Sequence, residues 1–442
     1  MRRLSADGRG ALPGRSRTCA ARRRTVPEGH RLRHLVVRPP GASTATGPQG
    51  LPPPGRGRPG PRLPGPGGPR WERPVAAHLH GRAGHEFRGG AGVPDELGLH
   101  PDPARDENPE PHEGRVTAVN PPSSTHRPLV VTPFGVRATA AEVLDGIDLT
   151  GRRAVVTGGA SGIGTETVRV LAAAGAEVTV ATRRPELAQQ LVRELGALPQ
   201  SGAVTAVPLD LADLSSVEAF TRAWRGPLDI LVANAGIMAL PTRELSSRGW
   251  EMQLATNFLG HFALATALHP ALSAAGEARV VMVSSGAHRK TPFDFDDPHF
   301  ERRPYDAWQA YGQSKTADVL FAVGARRWAE DGITANAASP GFIMTNLKRH
   351  LDDDTLRAMG VMDADGEIVI PPHFKTPEQG AATSVLLAAS PLLKGVTGAY
   401  FEDNQEAKVV RGDEEERGGV AAHALDRKAA DRLWNCASVA VR

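Results

Sequence analysis

Cysteine is nearly absent: two in 442 residues, Cys19 and Cys436, at opposite ends of the chain. That excludes a disulfide framework and a cysteine-based metal site, so no metal is expected and a reducing cytoplasm is the expected setting. No apolar run is long enough to span a bilayer, and no membrane partner is expected. Residues 1–24 are arginine-rich but carry no apolar core, so a secretory signal is not expected. The first 128 residues also lack lysine and isoleucine altogether, while holding 22 of the 37 prolines and 21 arginines against 11 acidic residues. Residues 52–70 are Pro, Gly and Arg apart from Leu63. Such a segment cannot bury enough apolar area to offset the entropy of ordering it, so residues 1–128 are expected to be disordered. With few aromatics among its arginines and no lysine, it makes a poor nucleic-acid arm, and no nucleic-acid partner is expected.

Three readings are open for this segment: a flexible tail that contacts acidic partners or nucleic acid, a targeting segment, or no part of the working protein. Its composition, that of translated GC-rich DNA constrained by no fold, favours the third and places the expected natural start at or near Val131. Peptides from residues 1–120 in the native protein would overturn that expectation. Residues 129–442, with 31 basic and 38 acidic side chains, are then the folded domain.

Within that domain, short apolar runs alternate with helical patterns. Strands are expected at 154–156, 177–181, 204–209, 228–233, 278–284, 333–338 and 395–401. Helices are expected at 139–144, with Thr139 and Glu142 as a capping box, and at 165–174, 186–195, 215–224 (Ser215 as N-cap), 242–272 and 307–329. Weak helix is expected around 421–434. Strands alternating with helices of this length imply parallel βαβ units and an α/β, doubly wound sheet of about seven strands with helices on both faces. Ligands of such sheets sit beyond the strand C-termini, where the strand order reverses.

The stretch Thr157-Gly-Gly-Ala-Ser-Gly-Ile-Gly164 joins the first strand to a helix. A glycine turn lets backbone approach a ligand, and the helix N-terminus offers free N–H groups and a partial positive charge, as a diphosphate requires. Downstream, Tyr311 and Lys315 stand four apart on one helix, so a phenol and an ammonium share a face. Ser284 and Ser285 end the fifth strand, Asn257 lies in the preceding long helix, and Asn234-Ala-Gly236 follows the fourth strand.

This ordered set resembles the short-chain dehydrogenase/reductase family over about residues 145–402. The spacer from Ser285 to Tyr311 is similar to that of the retinol-dehydrogenase and WW-domain-oxidoreductase branch, and the chain resembles actinobacterial short-chain oxidoreductases. The resemblance implies a Rossmann-like fold and an oxidoreductase moving a hydride between nicotinamide and an alcohol or carbonyl substrate. It implies a catalytic tetrad of Asn257, Ser285, Tyr311 and Lys315, with Asn257 holding a water and Lys315 also gripping the nicotinamide ribose. Gly158, Ser161, Gly162, Ile163 and Gly164 would cradle the diphosphate. Asp210 and Leu211 would contact adenine, and Asn234, Ala235 and Gly236 would flank the cofactor. Pro340, Gly341, Ile343 and Thr345 would meet the nicotinamide. Thr182 stands where an acid would select NAD, and Arg183 follows it. An arginine can pair with a 2′-phosphate, so NADP(H) is expected over NAD(H).

The chemistry expected of the pair follows from charge. A free phenol titrates near pH 10. An ammonium about 4 Å away at an effective dielectric near 20 favours phenolate by about 4 kcal/mol, or roughly three pH units. Tyr311 would then serve as general acid or base, and Ser285 would steady the substrate oxygen. His261 and His288 are expected as packing or rim residues. Residues 292–300 are expected as a loop over the cleft, and 347–373 as an apolar-faced lid. The C-terminal segment is expected beside the cleft or against a second subunit, which leaves a homo-oligomer open. Two alternatives remain: a dinucleotide-binding regulator without turnover, and a C=C reductase similar to protochlorophyllide reductase.

Overall fold

Ala154, Val155 and Val156 are fully buried, and they alternate between two separate apolar cores. This is the two-sided burial expected of a central parallel strand. The computed structural model describes residues 127–442 except 199, 346–350, 364 and 412–417. The expectation of disorder for the N-terminal segment lies, up to residue 126, outside the described residues. Arg127, the first of them, pairs its guanidinium with both carboxylate oxygens of Glu406 at 2.8 Å.

The elements in order are α1 (Ala140–Val143), β1 (Arg153–Thr157), α2 (Gly162–Ala173), β2 (Glu177–Thr182), α3 (Gln189–Gly196), β3 (Val204–Pro208), α4 (Leu214–Ala223) and β4 (Ile230–Ala233). Then come α5 (Met252–Leu254), a π turn (Ala255–Leu259), α6 (Gly260–Ala267), α7 (His269–Ala275), β5 (Ala278–Val283), α8 (Ala307–Gly324) and β6 (Ile333–Ser339). The chain closes with α9 (Asp353–Ala358), α10 (Pro377–Ala389), β7 (Tyr400–Glu402), β8 (Gln405–Glu406), the short pair β9 (Val409–Val410) and β10 (Val420–Ala421), and α11 (Arg427–Ala440).

The main sheet has eight strands in the order β3-β2-β1-β4-β5-β6-β7-β8. Every pairing in it is parallel except β7 with β8. The chain runs outward from β1 to β3 and then returns to β4 on the other side of β1. The crevice of a doubly wound fold therefore opens beyond Thr157 and Ala233. One core packs α4, α6, α8 and α11 against one sheet face, and the other packs α1, α2, α3 and α10 against the opposite face. Trp434 of α11 sits 5.0 Å from Phe262 and 5.4 Å from Phe321, ring centre to ring centre, so the C-terminal helix is built into the first core.

Several boundaries differ from the sequence reading. The helix expected from 242 begins at Met252, because buried Glu251 caps it, accepting from the N–H groups of Gln253 and Leu254. The cap of α4 is Asp213, whose carboxylate accepts from the Ser215 N–H, rather than Ser215 itself. Strand β7 starts at Tyr400 rather than Gly395, since Gly395 and Gly398 both adopt left-handed backbone (φ 76° and 71°). The eighth strand is a hairpin return that the sequence pattern did not show. The capping box at Thr139 and Glu142 is present as read.

The edge strand β8 is covered by the chain's own lead-in. Glu406 N donates to Val130 O, Thr132 N donates to the Gln405 side chain, and Gln405 Nε2 donates to Phe134 O. The insertion at 292–300 is anchored to α8 and α11. Asp294 N donates to Gln313 Oε1, Gln313 Nε2 donates to Pro298 O, and Arg432 of α11 lies 4.3 Å from the Phe295 ring centre. The apolar rings Phe293 and Phe295 draw the loop onto the first core, on the flank of α8.

Candidate active site

The end of β1 organises the crevice. Thr157 Oγ1 accepts from the N–H groups of Asn234 and Ala235, both at 2.9 Å, and Asn234 Nδ2 donates to Thr157 O at 2.8 Å. With two donors already on it, the Thr157 hydroxyl gives its own proton to His261 Nε2 at 2.8 Å. His261 Nδ1–H then faces Asn257 O at 2.7 Å. Burial pushes the His261 imidazole down to about 4, with Lys315 adding to the fall, so it stays neutral in this bridging role. His261 and His288 are both buried, as packing residues should be, but each also links two parts of the site. His288 Nδ1 bonds to Ser285 O at 2.7 Å, and its Nε2 accepts from Ala421 N at 3.2 Å. Neither link has a signature in the residue pattern.

The glycine loop passes close against this platform. A Cβ on Gly158 would lie 2.9 Å from Ala235 Cα, and one on Gly164 would lie 2.6 Å from Gly158 O. Gly158 and Gly162 are left-handed, with φ of 66° and 57°. Ser161 is the N-cap of α2, yet its side chain makes no capping bond. The N–H groups of that helix end are thus left uncapped by this side chain, and the cradle fits a diphosphate. Ile163 and Ile343 pack together beneath Gly380, and a Cβ on Gly162 would lie 3.4 Å from Thr345. The loop carrying Pro340, Gly341, Ile343 and Thr345 therefore borders the glycine turn. Arg183 is exposed just past β2. Asp210 accepts from Ala212 N at 3.0 Å, and Leu211 is buried against Gly260.

Gly236 is the meeting point of the remaining motifs. A Cβ placed on it would lie 3.4 Å from Asn257 Oδ1 and 3.8 Å from Lys315 Nζ. Asn257 sits in the π turn between α5 and α6, a feature that often marks functional positions. Its Oδ1 accepts from Ile237 N (2.9 Å), and its Nδ2 donates to Ile237 O (3.0 Å) and Ser314 Oγ (2.9 Å). The Asn257 amide thus braces the segment after β4 against α8. Ser314 in turn donates to Tyr311 O at 2.7 Å.

Lys315 Nζ stands 5.8 Å from the Tyr311 ring centre. It donates to Val283 O at 2.8 Å and to Asp318 Oδ2 at 3.0 Å, a partner the sequence reading missed although it lies on the same helix face. Burial works against the Lys315 ammonium, but Asp318 and Tyr311 outweigh it and hold the group above the ordinary lysine range. Ser284 turns inward and donates to Lys315 O at 2.8 Å. Ser285 is half-buried at the strand end, and Ala287, two residues on, packs against Tyr311. Met238, Ala239 and Leu351 complete the apolar surround of Tyr311. Of the expected lid, residues 346–350 and 364 lie outside the described residues. Among the described residues, no three His, Cys, Asp or Glu side chains group to hold a metal, and no single helix is long and apolar enough to cross a membrane.

The doubly wound sheet carries the glycine turn at its switch point, with Asn257 and Lys315 meeting beside Gly236. The profile of the short chain dehydrogenase family matches residues 152–356. A Streptomyces antibioticus protein called "Probable oxidoreductase" is 73% identical over 296 residues, covering 67% of this chain and 99% of that one. The polyprenol dehydrogenase of Mus musculus is 39% identical over 294 residues, covering 64% of this chain and 82% of that one. A solved structure from Mycobacterium paratuberculosis aligns with a TM-score of 0.53 at 30% identity, covering 69% of this chain and 97% of that one. The chain belongs to the short-chain dehydrogenase family. It is an oxidoreductase.

Proposed function

We propose that this protein is an NADP(H)-dependent dehydrogenase or reductase that interconverts an alcohol and its carbonyl, with Tyr311 as general acid and base. The observation that carries the reading is the convergence at Gly236, where Asn257 and Lys315 approach from separate elements while Ser314 ties Asn257 to the Tyr311 backbone. Nicotinamide, when bound, supplies the hydride. Tyr311 gives a proton to the substrate oxygen in reduction and takes it back in oxidation. Ser285 donates to the same oxygen and steadies its charge. Lys315 supports the phenolate and reaches the nicotinamide ribose, and Asn257 holds α6 and α8 in register. Gly158 to Gly164 hold the diphosphate on the N-terminus of α2. Asp210 and Leu211 border the adenine, and Asn234 to Gly236 with Pro340 to Thr345 frame the nicotinamide.

The walls around Tyr311 are apolar, which supports a substrate whose carbon skeleton is apolar. The polyprenol dehydrogenase among its relatives supports the same class. Arg183, exposed where an acid would exclude a 2′-phosphate, supports NADP(H). The test is NADPH consumption against apolar aldehydes and ketones. We expect kcat/KM at least about tenfold higher with NADP(H) than with NAD(H), since one charge-assisted contact is worth that much. Arg183→Ala should erase that margin, and a wild-type preference for NAD(H) would overturn the cofactor assignment.

A further inference from the structure

One buried ionisable group has no part in the reaction just described. Asp318 lies one turn beyond Lys315 on α8, and its side chain is 1% exposed. Its Oδ2 accepts from Lys315 Nζ at 3.0 Å, while its Oδ1, also buried, has no hydrogen-bond partner. A carboxylate removed from water is costly unless something in the site uses it. Among the described residues, its close partner is the ammonium expected to act on Tyr311.

We propose that Asp318 is a positioning residue whose carboxylate holds Lys315 against the end of β5 and offsets part of its charge, so setting the pH at which Tyr311 exchanges its proton. The inference rests on the acid–base role of Tyr311 given above. A positive charge beside a phenol favours its ionised form, and a carboxylate beside that charge weakens the effect. Asp318 therefore keeps Tyr311 protonated to higher pH, which favours carbonyl reduction over alcohol oxidation. Burial pushes the Asp318 carboxyl up, and Lys315 opposes that rise.

Above neutrality the neighbouring imidazoles are uncharged: His288, whose backbone carbonyl accepts from Thr316 of α8, is pushed by burial down to about 4. His261, from α6, is neutral above about 4. Tyr400, from β7, is held well above the ordinary phenol range by burial and Glu402.

The test uses the tyrosinate absorbance of the cofactor-free protein, titrated from about pH 7 to 11. The chain has three tyrosines. Tyr400 is held up as above, and burial and then Glu251 hold Tyr305 up. The step that disappears in Tyr311→Phe belongs to Tyr311. Asp318→Asn keeps an acceptor for Lys315 but removes the charge. It should move that step, and the rising limb of alcohol oxidation against pH, lower by about one unit. Asp318→Glu should restore both toward wild type. If Asp318→Asn does not fold, Asp318→Ser is read in the same way. Curves that superimpose on wild type would overturn the proposal. Should Tyr311→Phe keep its turnover, the catalytic assignment fails, and the absorbance arm still decides the role of Asp318.

Discussion

Tyr311→Phe should reduce turnover by about 10²- to 10⁴-fold, the range expected when a positioned acid–base group is lost. Tyr311 is buried in an apolar cluster with Met238 and Ala239, against which Ala287, Ala307 and Leu351 pack, and phenylalanine suits the same surroundings. Ser314 bonds to the Tyr311 backbone rather than to the phenol, so the link to Asn257 also survives. The variant should therefore fold and bind dinucleotide with a Kd near that of wild type. Steady-state kinetics and a fluorescence titration with NADPH check the two halves separately. A variant keeping most of its kcat would overturn the assignment. A variant losing affinity and kcat together would show the phenol to be a binding group instead.

Gly164→Val should abolish dinucleotide binding and lower stability in the same step. Even the first carbon of a side chain at 164 would lie 2.5 Å from Asn234 Nδ2 and 2.6 Å from Gly158 O. Asn234 cannot yield cheaply, because the same Nδ2 donates to Thr157 O and its N–H is held by the Thr157 hydroxyl. The helix end must then move away from the crevice, and the diphosphate loses its donors. Overpacking of this kind costs typically about 1–3 kcal/mol of stability. Loss of about 100-fold or more in NADPH affinity, or no detectable binding, is expected by calorimetry. A lower midpoint in urea should accompany it. Binding at wild-type affinity would place the diphosphate elsewhere.

Much of this arrangement was legible in the residues. Ala154 to Val156, the glycine turn and the return at Asn234 gave the doubly wound sheet, because buried strands and left-handed turns demand particular residue types. Tyr311 and Lys315 could be read from helical spacing. Other features left no comparable trace. The π turn at Asn257 has no compositional signature, since the extra residue is accommodated by packing against α8. The anchoring of the insertion at 292–300 left no trace because Gln313 and Arg432 lie 15 or more residues from their partners in sequence. Asp318 was legible only as a neighbour of Lys315. Whether a carboxylate three residues on points inward depends on which face of α8 is buried, and nearly all of that helix is buried.

The segment at 127–134 has a consequence for how copies of this protein can meet. An uncovered β8 would offer unpaired backbone groups to any passing strand. Here Val130, Thr132 and Phe134 already bond to Gln405 and Glu406, and Arg127 locks Glu406 from outside. The ribbon of eight strands thus ends in a self-supplied hem, and a neighbouring molecule cannot stitch its own backbone onto that border without first unpicking it.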